Sequence, residues 1–181
     1  MIKVIEHFLT QDECNLLLKE SEGKYISTVI PRKSDSTKVA NKNIYLNNVT
    51  HYTEYSTSHF LYPKLKSVIE SLGYKELNNE PYKGMSLLYP KNGFIFKHCD
   101  SEGNFNYRIA SAVIFLNEEY TGGELLLYSN DKPTIAKKKI GTLYLFDCKL
   151  YHEVTPVLSG ERKTLALFFD NTKISKSKSL I

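Results

Sequence analysis

The sequence predicts a mainly β fold, a jelly-roll double sheet whose helices are confined to the N-terminal part. Three observations lead there. From residue 82 onward, eight short β-prone segments follow one another, divided by Gly, Asn, Asp and Pro. Helical periodicity is found only before that point. The length of 181 residues suits one domain of ordinary size, with no repeats, low-complexity tracts or linkers to divide it. We therefore expect a single domain over 1–181: helical support and a loop in 1–80, a β core in 81–172 and a basic tail in 173–181.

The elements follow in order. "IKVIEHF" (2–8) alternates like a short strand. "LTQDECNLLLKESEG" (9–23) reads as a helix, with Thr10 as N-cap, Glu13 completing a capping box and Gly23 as a stop. "NKNIYLNN" (41–48) is a weak strand. "EYSTSHFLYPKLKSVIESLG" (54–73) puts apolar residues at 61, 65, 68, 69 and 72, a helical period ended by Gly73, with Pro63 either in its first turns or breaking it. The strand candidates beyond are "YKGMSLLYP", "GFIFKHCD", "YRIASAVIFLN", "GELLLYS", "PTIAK", "GTLYLFDC", "YHEVTPV" and "RKTLALFFD". Two sheets of such strands, with helices packed against one face, is the economical arrangement.

No apolar run reaches the ~20 residues that span a bilayer, and "MIKVIEHFLT" lacks the apolar core of a signal peptide, so the expectation is a cytoplasmic protein without a membrane partner. Cys14, Cys99 and Cys148 are odd in number and widely spaced, which fits reduced, buried thiols rather than disulfides or a zinc knuckle. The net charge is +4, but residues 31–42 carry +3 and 173–181 another +3, leaving −2 for the rest. A basic loop and tail on a slightly acidic body are not the face of a nucleic-acid binder. Nothing in the sequence calls for a second copy, and a monomer is expected.

Chemistry concentrates around "FKHCD". His98 and Asp100 share a face where a strand runs out into a turn, with Cys99 on the other face. Of the other histidines, His7, His51 and His59 sit where surface or core roles suffice. His152 opens a later strand some fifty residues on, and Arg162 follows ten residues further. If the strands pair as a hairpin around "LSGE", Arg162 returns near the level of His152. Two imidazoles and one carboxylate match the facial triad that holds ferrous iron with open positions. An arginine on the neighbouring strand suits a cosubstrate carboxylate, which its fork binds bidentately. A purely structural metal site has no use for such a clamp, and no general base stands beside the triad for a zinc hydrolase. Asp147 has no ligand-type partner two residues away and is expected in a turn or supporting the ligands from behind.

The ordered set His98-x-Asp100, His152 and Arg162 resembles the iron(II)/2-oxoglutarate-dependent oxygenases, and within them the prolyl 4-hydroxylases. "YPKNGFIFKHCD" is similar to a Tyr-Pro-x-Asn-Gly…His-x-Asp segment of the hypoxia-factor type. "VIFLNEEYTGGELLLY" resembles the family's Tyr-Leu-Asn…Gly-Gly-x-Leu, and "YHEVTPVLSGER" its His-Glu-Val-x-Pro. "VIEHFLTQDECNLLL" looks like the family's opening helix.

That resemblance implies a double-stranded β-helix core and Fe(II), 2-oxoglutarate and O2 as cofactors, with ascorbate a further candidate. It implies hydroxylation of proline in a protein or peptide, coupled to decarboxylation of 2-oxoglutarate to succinate. The alternatives are the same chemistry on a free amino acid or other small molecule, and a metal-binding jelly roll without turnover. By position, His98, Asp100 and His152 would bind iron, and Arg162 the distal carboxylate of 2-oxoglutarate. Thr164, on the same strand face, and Tyr89 would also line the cosubstrate pocket. Arg108 matches a substrate-pocket arginine, and the loop 31–42 a lid from which Arg32 touches substrate. Two departures stand out. Phe115 replaces a cosubstrate-binding tyrosine, so that hydrogen bond is lost or comes from elsewhere, with Tyr144 the candidate. The ten-residue interval to Arg162 is that of the collagen-type lysine and one longer than in the hypoxia type; Lys163, adjacent, should point the opposite way.

Overall fold

The computed structural model describes residues 1–27, 45–46, 48–71, 82–101, 105, 107–129 and 132–170. The expected lid with Arg32 and the tail 173–181 lie outside the described residues.

In chain order the elements are β1 (Ile2–Ile5), α1 (Gln11–Ser21), β2 (Ile26–Ser27), β3 (Tyr45–Leu46), β4 (Val49–Tyr55), α2 (Leu61–Glu70), β5 (Tyr82–Tyr89), β6 (Phe94–His98) and β7 (Arg108–Phe115). Then come β8 (Tyr120–Gly122), β9 (Leu125–Tyr128), β10 (Thr134–Ile135), β11 (Leu143–Asp147), β12 (Tyr151–Val154), β13 (Val157–Gly160) and β14 (Arg162–Asp170). The strands form a seven-stranded sheet in the order β1-β11-β7-β14-β5-β4-β2, a five-stranded sheet in the order β10-β9-β12-β6-β3, and the pair β13-β8.

Side-chain alternation explains the layers. On β14, Leu165, Leu167 and Phe169 point to one side of the large sheet, with Ala110, Ala112 and Ile114 of β7 and Leu143 and Leu145 of β11. That side is covered by Cys14 and Leu17 of α1 and by Leu61, Tyr62, Leu65 and Ile69 of α2. The alternate residues, Ala166, Phe115, Tyr144 and Phe146 with Met85, Leu87 and Tyr89 of β5, face the small sheet and meet Ile95, Leu125, Leu127 and Val154. Both sets are needed, because a sheet covered on both faces must be apolar on both. Full burial of a leucine such as Leu165 or Leu167 stabilises the fold by roughly 1.5–3 kcal/mol. Arg162 and Thr164 fall on the inter-sheet side by the same parity.

α1 starts as expected: Thr10 Oγ1 accepts from the Glu13 N–H at 3.2 Å while the Glu13 carboxylate accepts from the Thr10 N–H at 2.8 Å. The second helix is shorter than its periodicity suggests. Residues Glu54 and Tyr55 end β4, which pairs with β5 from Val49↔Leu88 to Tyr55↔Tyr82, and this strand pairing overrides the local helical pattern. The helix begins at Leu61, whose N–H donates to His59 Nδ1 at 3.1 Å. Pro63 sits in the first turn, where a missing N–H costs nothing.

The hairpin expected around "LSGE" is not formed. β12 pairs with β6 and β9 in the small sheet, β13 pairs with β8, and β14 lies in the large sheet. The chain changes sheets here, with Pro156, which has no N–H to donate to a ladder, at the crossing. Arg162 is instead positioned by its register opposite Tyr89.

Candidate active site

His152 sits directly opposite His98 across the β12–β6 ladder, with ring centroids 4.3 Å apart. β6 ends at His98, and Asp100 lies in the turn beyond it. The backbone of Asp100 is held there by its N–H, which donates to Cys148 O at 2.8 Å. Its carboxylate places Oδ1 3.5 Å from His98 Nε2 and Oδ2 3.6 Å from His152 Nε2. All three ligand atoms lie within 4.8 Å of one another.

The two imidazoles are oriented alike. His98 Nδ1 is 2.8 Å from Phe96 O and His152 Nδ1 is 3.0 Å from Leu150 O. A carbonyl only accepts, so each Nδ1 carries the proton and each Nε2 turns a lone pair to the centre. Burial pushes His152 down, which keeps it neutral. Burial opposes ionisation of Asp100, yet the neighbouring His152 and His98 hold its carboxyl well below the usual carboxylate range. Two imidazole Nε2 atoms and a carboxylate therefore converge on one point, where a bound cation can take the place of any proton they share. That donor set fits a divalent cation, and an N,N,O set fits ferrous iron.

Arg162 is the largest fully buried side chain among the described residues, at 1% exposure. Its Nη1 donates to Thr164 Oγ1 at 3.2 Å, while Nε and Nη2 have no hydrogen-bond partner among the described residues. Its guanidinium lies 4.5 Å from the Tyr89 ring centroid and 5.4 Å from that of Phe115. A buried cation with two unpaired N–H groups and no ion pair among the described residues fits an anionic ligand. Tyr89 ties this pocket to the triad: burial raises its phenol, the Arg162 charge opposes that, and the Asp100 charge adds to it. Lys163 points away, as alternation requires, and pairs with Glu161 at 3.2 Å.

Residues 84–170 match the sequence model of the 2OG-Fe(II) oxygenase superfamily, a span that contains the triad, Arg162, Thr164 and Tyr89. This match places residues 84–170, just under half of the chain, in the 2OG-Fe(II) oxygenase superfamily. A PKHD-type hydroxylase of Shewanella baltica is 44% identical over 54 residues, 29% of this chain and 24% of the relative, so the match spans about a quarter of that relative's length. A prolyl-4-hydroxylase of Pseudomonas putida shares the fold at a TM-score of 0.65 and 21% identity, covering 94% of this chain and 92% of its own. A prolyl hydroxylase of Trichoplax adhaerens, solved with a hypoxia-inducible-factor peptide, aligns at a TM-score of 0.66 and 21% identity over 95% of this chain and 84% of its own. The fold is thus the superfamily's double-stranded β-helix, with helices on the outside of the large sheet.

The remaining expected residues divide. Arg108 does border the centre: its guanidinium stacks between Phe105 at 4.1 Å and Phe168 at 3.8 Å, and Nη1 donates to Asp100 O at 3.3 Å. Tyr144 does not take over from Phe115. Its hydroxyl accepts from the Lys137 N–H at 2.7 Å and is 3.3 Å from Lys137 O, so it is spoken for. Asp147 is exposed and accepts from the Lys149 N–H at 2.8 Å, a turn role. None of the three cysteines forms a disulfide among the described residues; Cys14 and Cys148 are buried and Cys99 only partly, and burial pushes the Cys148 thiol up to about 11. Sequence reasoning missed Tyr120, whose buried hydroxyl lies beside Arg162; its only signal was an aromatic hydroxyl just ahead of Gly122-Gly123.

Proposed function

We propose that this chain is an Fe(II)- and 2-oxoglutarate-dependent dioxygenase that hydroxylates proline in a protein or peptide. The observation that carries the reading is Arg162, buried with Nε and Nη2 unpaired among the described residues, on the same interior as the three converging acceptors. His98 and His152 would hold the iron through Nε2, and Asp100 through a carboxylate oxygen. Iron with 2-oxoglutarate and O2, when bound, supplies the oxidation that yields succinate and CO2 and transfers one oxygen atom to a substrate C–H bond.

The chain's own residues have separate tasks. The carbonyls of Phe96 and Leu150 keep both imidazoles in the ligating tautomer. Arg162 takes the distal carboxylate of 2-oxoglutarate, with Thr164 and Tyr89 steadying the guanidinium. Phe146, edge-on to His152 at 4.9 Å, and the inter-sheet apolar residues exclude water from the centre. Arg108, between Phe105 and Phe168, borders the substrate side. The prolyl-hydroxylase structures that share this fold support a peptidyl proline as the substrate.

The test is an anaerobic titration of Fe(II) and 2-oxoglutarate, followed by the weak visible band of the chelate. O2 is then admitted with ascorbate as reductant and a pool of proline-containing peptides. Wild type should show the band, form succinate and add one oxygen to a peptide, and His152→Ala should lose all three. Succinate without a modified peptide would move the substrate to a small molecule. Metal binding with neither band nor succinate would overturn the enzyme reading.

A further inference from the structure

Three buried donor atoms around Arg162 have no hydrogen-bond partner among the described residues: its own Nε and Nη2, and the hydroxyl of Tyr120. Tyr120 is 4% exposed and opens β8, where it pairs with Gly160 of β13. Its position is fixed from outside by Lys138, whose ammonium donates to Tyr120 O and lies 4.3 Å from the ring centroid. A Cβ on Gly123, which has φ +64°, would meet Arg162 Cδ at 3.0 Å and Tyr120 Cε2 at 3.2 Å. The two side chains therefore pack side by side over a residue that has no side chain of its own.

The other candidate hydroxyls here are accounted for. Thr164 accepts from Arg162, Tyr89 interacts with both Arg162 and Thr164, and Tyr144 is bound to the Lys137 backbone. Phe115, opposite Thr164 in the ladder, has no hydroxyl. A polar group this deeply buried without a partner costs free energy unless a ligand completes it. Burial pushes the Tyr120 phenol up to about 12 against the pull of the Arg162 charge, so it keeps its proton at neutral pH. A carboxylate offers about four acceptor sites, two for the arginine fork and others for a neighbouring hydroxyl.

We propose that Tyr120 donates a hydrogen bond to the cosubstrate carboxylate held by Arg162, so that this chain recognises the distal end of 2-oxoglutarate with an arginine–tyrosine pair. The inference rests on the proposed function and names a binding residue for it.

The test is Tyr120→Phe, with calorimetric titrations done anaerobically with Fe(II) alone and then with 2-oxoglutarate added. Affinity for 2-oxoglutarate should fall about 10- to 100-fold, the loss of one hydrogen bond to a charged group. Fe(II) affinity should be unchanged. The ligand-free melting temperature should hold or rise, because the Tyr120 hydroxyl makes no hydrogen bond among the described residues. Tyr144→Phe, the control, should bind 2-oxoglutarate like wild type. The proposal is overturned if Tyr120→Phe binds 2-oxoglutarate within about twofold of wild type, a difference too small for one such bond. It is equally overturned if Fe(II) affinity falls in parallel, or if the ligand-free protein melts several degrees lower. Failure of wild type itself to bind 2-oxoglutarate would instead remove the proposed function, and this inference with it.

Discussion

Replacing Arg162 by methionine separates the stability of the fold from its use. Methionine has similar length and can follow the same path between Tyr89 and Phe115, but it carries no charge. The wild-type guanidinium is buried at 1% exposure and, among the described residues, has one hydrogen bond from Nη1 and none from Nε or Nη2. An uncompensated buried ion costs about several kcal/mol. Against that stand the bond to Thr164, about 1.5–3 kcal/mol, and the aromatic stacking, about 0.5–2 kcal/mol. The two sides nearly cancel, so ligand-free Arg162→Met should be as stable as wild type or up to about 2 kcal/mol more stable. At about 2–4 °C per kcal/mol for a chain of this size, that is a melting temperature unchanged or raised by up to about 8 °C. Ligand reverses the order. At a concentration 100 times its Kd, 2-oxoglutarate with Fe(II) should stabilise wild type by about 2.7 kcal/mol, a rise of about 5–11 °C. The variant should show little of that rise. The assay is a pair of anaerobic thermal melts with and without 2-oxoglutarate. A variant that melts several degrees lower without ligand would show that the guanidinium is structural. One that keeps the full ligand shift would show that it is not the carboxylate clamp.

Two further substitutions probe the scaffold and the pocket. Glu13 closes the α1 capping box and meets Lys64 Nζ at 2.7 Å; burial raises its pKa, but the Lys64 and Thr10 contacts outweigh this and lower it overall. A depressed folded-state pKa gives stability that is present above the unfolded value of about 4.3 and lost as pH falls through the folded value. Glu13→Gln should therefore cost about 1 kcal/mol at pH 7 and almost nothing near pH 3, read from urea midpoints at the two pH values. Gly123→Ala and Gly23→Ala both force a side chain onto a positive φ, +64° and +69°, at about 1–2 kcal/mol each. Only at Gly123 would the new Cβ press on Arg162 and Tyr120, whereas nothing lies within 4 Å at Gly23. Calorimetry should then find weaker 2-oxoglutarate binding in Gly123→Ala alone.

What the sequence revealed of this site was whatever depends on local periodicity. His98 and Asp100 were legible because a ligand pair at the end of a strand is a local pattern, and Thr164 because it follows Arg162 by one strand period. Where pairing partners decide, the sequence was silent or misleading. Glu54 and Tyr55 continue a helical pattern on paper, but seven residue pairs between β4 and β5 outweigh it. Arg162 was expected near His152 by a hairpin, yet it reaches the interior from the other sheet, and only its register opposite Tyr89 fixes its place. Tyr120 is the limiting case. Its segment is a three-residue strand that no propensity would mark, and its burial depends on β13 and on Gly123 leaving room beside Arg162. A hydroxyl in that position acquires meaning only once the arginine beside it is known to lack acceptors. The residues that tune recognition are thus less visible than the ligands, because their roles are set by neighbours far away in the chain.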